Sequence, residues 1–432
     1  MTPPSYHGSA GERQDICYKA VRTCNQRGAA ATRGGPPHCG GRIPADAPRS
    51  IDSHSHREYA RTTQQIRETT VAKGCEMPVI DADTHVDECE ETWSYMPLAD
   101  SKHRPVTLVP GDDVPEGSAR PGYTRHWFVG GTLSIRRIRD DMRTGTTVET
   151  RELRDVTARL RHMDKMGVDV HILYPTAFLT HITGDADAQV AICKSYNRWL
   201  SEKCSQSDGR LRWVAVVPML DVEAAVDEMH WASEHGACGV FKLATEVGKR
   251  VTDPYFFPIY QAANDLGLGL CIHTGSGDQP RGGSAFGDAL GNTNVVDAFH
   301  GIAFSGLAGK FPKMRFGFIE AGASWIPYVI DQLYARRERM SWAWSSFNYA
   351  DLTSLFQDNR LYVTCQSHED ISYLLRFGTE DNLMIGTDYT HADASAEIEA
   401  IAGIRRMADE GIIDQTAKRK ILEDNPKAFY GL

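Results

Sequence analysis

A (β/α)₈ TIM barrel is the architecture expected of this chain, with a leader ahead of it and one long insertion after its first strand. Three observations carry that expectation. From Val79 onward short β-branched runs alternate with helical stretches, the runs number eight, and several end in a side chain that can do chemistry. Regular alternation of strand and helix points to a parallel sheet covered by helices. Eight such units closed on themselves leave no sheet edge to protect.

The first run is Val79-Ile80-Asp81-Ala82-Asp83 and the second Val168-Asp169-Val170-His171-Ile172-Leu173-Tyr174. The third and fourth are Trp213 to Pro218 and Gly239 to Leu243. Leu268 to His273, Arg315 to Glu320, Leu361 to Cys365 and Leu383 to Asp388 complete the eight. Between them, Val156 to Met166 carries apolar or long side chains at helical spacing and stops at Gly167, a residue suited to a left-handed cap. Ala188 to Cys204 and Val222 to Glu234 also read as helices.

One connection breaks the pattern. About seventy residues separate the first run from the helix before the second, where a handful is usual. Residues of about 90–150 are therefore expected to form a functional loop or cap, and Tyr123-Thr124-Arg125-His126-Trp127-Phe128 supplies material for a ligand contact. Arg125 and Trp127, with the basic run Arg136-Arg137-Ile138-Arg139, are expected to close over a small-molecule substrate. Residues 1–76 are rich in Gly, Pro, Arg, Ser and Thr. They read as a disordered leader, a transit peptide, or an overextended start with the working protein beginning near Met77.

Composition narrows the function. The chain has 432 residues, 41% hydrophobic and 24% charged, enough for a large buried core. A formal charge of -10 argues against nucleic acid as the main partner. No apolar stretch approaches a membrane span or a secretory signal, so a cytoplasmic enzyme is expected. The ten cysteines are scattered without a CxxC pair, which indicates neither a disulfide framework nor a thiolate metal site.

Catalytic groups of such a barrel belong at the C-terminal ends of its strands. Strand one ends in Asp83 with His85 two residues on, strand five in His273, strand six in Glu320 and strand eight in Asp388. Period-two alternation points Asp83 and His85 the same way, so both can chelate one ion, with His273 approaching from across the barrel. Asp388 can ligate the ion or move a proton, although an aspartate at a strand end also caps helices. Glu320 and His391 are the candidates for a second ion, with Glu320 alternatively a general acid or base. Mixed carboxylate and imidazole donors suit a divalent metal, zinc first, then manganese or iron. Asp52-Ser53-His54-Ser55-His56 offers a rival His-x-His pair, but no apolar run precedes it. Lys242, near the end of strand four, is read as a substrate contact, as a carboxylated bridging ligand, or as the partner of an acid.

These residues resemble the amidohydrolase superfamily, in particular the branch of aminocarboxymuconate semialdehyde, resorcylate and carboxyvanillate decarboxylases. The resemblance spans Val79 to Leu432. It rests on Ile80-Asp81-Ala82-Asp83-Thr84-His85, His162-Met163-Asp164, Leu173-Tyr174-Pro175-Thr176, Tyr196-Asn197-Arg198-Trp199-Leu200, Gly386-Thr387-Asp388-Tyr389-Thr390-His391 and the ending Asp424-Asn425-Pro426-Lys427. It implies metal positions at Asp83, His85 and His273, an acid at Asp388, Tyr174 at the substrate, and a homodimer. Many decarboxylases of the branch carry a catalytic histidine after strand six, where this chain has Glu320-Ala321-Gly322. Hydrolysis or non-oxidative decarboxylation of a small, aromatic carboxylate is the leading expectation. A dinuclear iron or manganese oxygenase and a non-catalytic partner subunit are the alternatives.

Overall fold

The computed structural model describes residues 78–108, 125–136, 139, 141–276, 292–339, 354–392 and 395–432, all within the unit Gly74–Leu432. The expected leader with His54 and His56, the start at Met77, the segment before Arg125, and Trp342-Ala343-Trp344 lie outside the described residues.

The eight parallel strands form one sheet in which chain neighbours are spatial neighbours. They are Ile80–His85, Val170–Tyr174, Leu211–Ala215, Ala237–Leu243, Gly269–His273, Arg315–Ile319, Leu361–Cys365 and Leu383–Ile385. Helices connect them on the outside, and their starts are written locally. Asp155, Asp185 and Asp221 each accept a hydrogen bond from the backbone N–H three residues on, opening the helices Val156–Met166, Ala186–Ser205 and Val222–Glu234. The third strand begins two residues earlier than Trp213, and the eighth stops at Ile385 because Gly386 and the left-handed Asp388 (φ 50°) turn the chain inward.

Strands eight and one close the barrel through few but well-placed contacts. Thr84 and Tyr389 form a parallel bridge. The Asp388 N–H donates to Asp83 O and the His85 N–H to Tyr389 O, both at 2.9 Å. Asp81, fully buried, accepts from Thr387 N at 2.9 Å and Thr387 Oγ1 at 2.6 Å. Gly386 permits this approach: a Cβ there would lie 2.4 Å from the Asp83 Cβ. Behind the seam, buried Arg159 donates to His85 O and to His171 Nδ1, and its guanidinium lies 3.7 Å from the centre of the Tyr389 ring.

The expected insertion begins with 3₁₀ turns at Thr92–Tyr95 and Leu98–His103 and continues as a three-stranded antiparallel sheet, Val106–Leu108, Arg125–Val129 and Thr132–Arg136. One face of this sheet is packed: Trp127 is buried edge-on against Trp93, with Arg136 over its ring. At the other end of the chain Phe429 lies where Cβ atoms on Gly269 and Gly317 would stand. Tyr430 meets the Tyr174 hydroxyl and donates to Ala82 O, both at 2.6 Å. No helix among the described residues is long and apolar enough to cross a membrane.

Thr387→Val removes one donor from the buried Asp81 carboxyl and leaves its bulk intact. The expected cost is about 1–3 kcal/mol of stability, read as a lower urea midpoint with an unchanged slope. An unchanged midpoint would show that the seam does not depend on this bond.

Candidate metal centre

The first strand delivers two donors because its end bends. Its register against strand two slips between Asp81 and Thr84, yet Asp83 and His85 both reach the barrel interior, with His85 Nε2 3.5 Å from Asp83 Oδ1. His273, at the end of strand five, places Nε2 3.4 Å from the same oxygen. From the loop after strand eight, Asp388 Oδ1 stands 3.4 Å from His85 Nε2. All four side chains are at most 2% exposed.

Asp83 Oδ1, His85 Nε2 and His273 Nε2 are buried and have no hydrogen-bond partner, a costly state for polar atoms in a core. Their separations fit a cation: two donors about 2.1 Å from one ion, at a tetrahedral angle, are about 3.4 Å apart. The tautomers agree. His85 Nδ1–H donates to Pro175 O at 2.9 Å and His273 Nδ1–H to Thr274 O at 2.7 Å, which leaves Nε2 as the nitrogen each ring turns to the cluster, a lone-pair donor whenever the ring is neutral.

A second donor group shares His85 and adds Glu320, Asp388 and His391. His391 Nδ1 is 2.6 Å from Asp388 Oδ1, and its ring stacks on His85 at 3.9 Å. Glu320 Oε2 lies 3.3 Å from His273 Nδ1. Glu320, Asp388 and Thr390 all have left-handed backbones, at φ 61°, 50° and 87°, an unfavourable conformation for side chains with a Cβ that concentrates at functional sites. Ser395, for which the sequence offers no signal, donates toward Glu320 Oε1 at 2.7 Å and lies 3.1 Å from Asp388 Oδ2.

Electrostatics follow the same geometry. Burial works to raise the Asp83 carboxyl, but the charge of His273 and the nearness of both imidazoles overcome it and hold the group below the usual carboxylate range. Burial opposes a charge on His273, and the Asp83 carboxylate outweighs it, raising the imidazole to about 9. Burial keeps His85 low, and so neutral and ready to donate a lone pair.

The expected substrate contacts are placed differently. Lys242 is fully buried beside Phe256 and paired with Glu246. Phe241, one residue before it, turns its ring to His273, so alternation aims Lys242 away from the metal donors and toward the helices. The lysine is thus paired with an acid, but on the outer side of its strand and not inward, and it stands apart from the metal donors. Tyr174 packs its ring against His85 and His273 from within the core, its hydroxyl taken by Tyr430. Trp127 is sealed inside the insertion, and Arg125 is exposed at the start of its strand.

Comparison with known proteins bears on this arrangement. A family model described as Amidohydrolase matches residues 148–432, a stretch that begins after strand one and so leaves Asp83 and His85 outside the match. A 2-amino-3-carboxymuconate-6-semialdehyde decarboxylase from Dictyostelium discoideum is 20% identical over 287 residues, 64% of this chain and 77% of the relative. Among solved structures, an amidohydrolase from Mycobacterium avium subsp. paratuberculosis K-10 superposes with a TM-score of 0.65 at 17% identity, covering 83% of this chain and 99% of that one. A 5-carboxyvanillate decarboxylase from Novosphingobium aromaticivorans DSM 12444, with bound manganese, gives 0.59 at 16% identity, covering 82% and 97%.

A cation entering this cluster must displace the proton on His273. Near neutral pH, binding is expected to release about one proton per ion, measured by calorimetry in buffers of different ionisation enthalpy. Affinity is then expected to rise with pH until about 9 and level off above it. Proton-neutral binding would contradict the assigned donor set.

Proposed function

The chain belongs to the amidohydrolase family, and on that premise we propose that it is a metal-dependent carboxy-lyase acting on a small carboxylate, aromatic in its preferred form. The observation that carries this reading is the convergence of Asp83 Oδ1, His85 Nε2 and His273 Nε2, three buried donors at ion-sharing distances. Asp388 completes the set. The decarboxylases among the relatives support the choice of reaction, and the manganese bound in one structure of the 5-carboxyvanillate decarboxylase supports manganese beside zinc as the ion.

A divalent cation held there supplies Lewis-acid polarisation of a substrate carboxylate or phenolate oxygen. The chain's own residues supply the proton. In decarboxylation the bond from the ring or chain carbon to the carboxylate breaks, carbon dioxide leaves, and the electron pair stays on carbon. Asp388 delivers a proton to that carbon. His391, 2.6 Å from Asp388 Oδ1, is placed to reload it, and Ser395 steadies the other carboxylate oxygen. In hydrolysis the same aspartate would take a proton from the attacking water. Glu320 stands where many decarboxylases of this branch carry a histidine, and its bond from Ser395 couples it to Asp388.

A second reading rests on the second donor group. Glu320, Asp388 and His391 offer one ligand atom each beside His85, all within 4.8 Å of one another; with the His85 Nε2 lone pair given to the first ion, these three would hold the second ion that oxygen-dependent hydroxylation by a metal pair needs. The two reactions separate cleanly. The carboxy-lyase releases carbon dioxide without oxygen uptake once zinc or manganese is restored to the chelated protein. The oxygenase consumes oxygen and carries about two ions per chain, iron among them.

Asp388→Asn keeps a ligating oxygen and removes the titrating one. Turnover is expected to fall by about 10²–10⁴-fold while the ion content stays near that of the parent. Turnover at the parent level would overturn the proton role; if the chain is a non-catalytic partner, the activity untouched by Asp388→Asn would be that of the complex it joins.

A further inference from the structure

We propose that Glu88 is a positioning residue for the metal centre: its carboxylate clamps the Pro175–Ala177 turn, and that turn holds the far nitrogens of His85 and His391. The inference rests on the cation reading above and names the part of the chain that aims two of its imidazoles.

Glu88 follows strand one and is 4% exposed. Its two oxygens are divided between two successive amides: Oε1 accepts from Thr176 N at 3.0 Å and Oε2 from Ala177 N at 2.8 Å. Burial raises the carboxyl to about 8, and in either protonation state each oxygen keeps a lone pair for its N–H. Beside this clamp the Val86 N–H donates to Tyr174 O, so the chain leaving strand one is fastened along the end of strand two at both residues.

The clamped turn is in contact with the donors. Pro175 O accepts from His85 Nδ1, which fixes both the tautomer and the ring plane of that ligand. Thr176 Oγ1 is 3.2 Å from His391 Nε2. The two rings are stacked with 25° between their planes, so one three-residue turn sets the direction of both. Loosening the turn swings His85 Nε2 off the point it shares with Asp83 and His273. Loss of an outer hydrogen-bonding partner of a ligand typically costs about 10–100-fold in metal affinity.

The test is Co²⁺ binding to the full chain, followed by its visible absorption. In Glu88→Gln an amide –NH₂ replaces one acceptor and faces a backbone N–H, so one clamp bond is lost while size is kept. Co²⁺ affinity is expected to fall about 10–100-fold, with shifted absorption bands. Glu228→Gln is the comparison. Glu228 is buried, accepts from Asn197 Nδ2 and Arg198, and sits among none of the donors. That variant is expected to lose stability with the parent's cobalt bands and affinity. If Glu88→Gln does not fold, hydrogen exchange of the parent decides: the Thr176 and Ala177 amides are expected to exchange more slowly once Co²⁺ is added. The inference is overturned if Glu88→Gln binds Co²⁺ with the parent's affinity and bands, or, failing that variant, if exchange at the turn ignores the ion. A parent chain that binds no divalent ion would instead sink the cation reading itself, and the inference with it.

Discussion

The seam between strands eight and one is the constraint on which the site depends. Seven of the strand junctions are parallel pairings, five of them without a register shift, but this last one holds through a single bridge, two backbone hydrogen bonds and the buried carboxyl of Asp81 on Thr387. Each of those contacts is adjacent to a metal donor. Asp83 O takes the Asp388 N–H, and the His85 N–H goes to Tyr389. Closing the barrel therefore also brings Asp83 and His85 to Asp388. Gly386 lets the strands approach, and Arg159, reaching from the outer helix, ties His85 O to the Tyr389 ring.

The strain at the rim follows from the same requirement. A regular strand end would carry Glu320 and Asp388 outward along its axis. Left-handed backbones at both positions fold the carboxylates back toward His273 and His85. Such conformations cost about 1–3 kcal/mol each and persist where surroundings over-determine them. Here the surroundings are identifiable: the Thr364 hydroxyl accepts from the Glu320 N–H at 2.8 Å, and the Asp388 N–H is held by strand one.

Much of this was legible in the sequence, for reasons that also explain what was not. Apolar runs ending in Asp83-x-His85, His273 and Asp388 expose themselves because a polar group terminating a buried strand has few structural uses. The helix Val156–Met166 was readable to the residue, since its aspartate cap and glycine stop are local. Lys242 was not. Whether a strand residue faces the axis or the helices is a matter of parity, and that parity is set by pairing with strand five, where Leu243 lies beside His273. The fate of Tyr174 depends on Tyr430, 256 residues away. Ser395 sits in a loop without periodicity, and the amides that Glu88 clamps are 88 and 89 residues further along the chain.

Charge accounts for why the centre calls for a cation rather than only tolerating one. Asp83, Asp388 and Glu320 bring three carboxylates into a space from which water is largely excluded, against imidazoles of which His85 is held neutral by burial. One compensation within the described residues is a proton on His273, raised to about 9 under the pull of Asp83. That proton points one donor hydrogen at an oxygen that three groups share. A divalent ion at the same point satisfies Asp83, His85 and His273 together and frees His273 to act as a neutral ligand. The remaining carboxylates then face a positive centre, Asp388 with a histidine at 2.6 Å to exchange protons with and Glu320 with the serine that links the two. On the proposed reading, the same arrangement that would bind the ion would separate a ligating side of the centre, at Asp83, His85 and His273, from a proton-moving one, at Asp388 and His391.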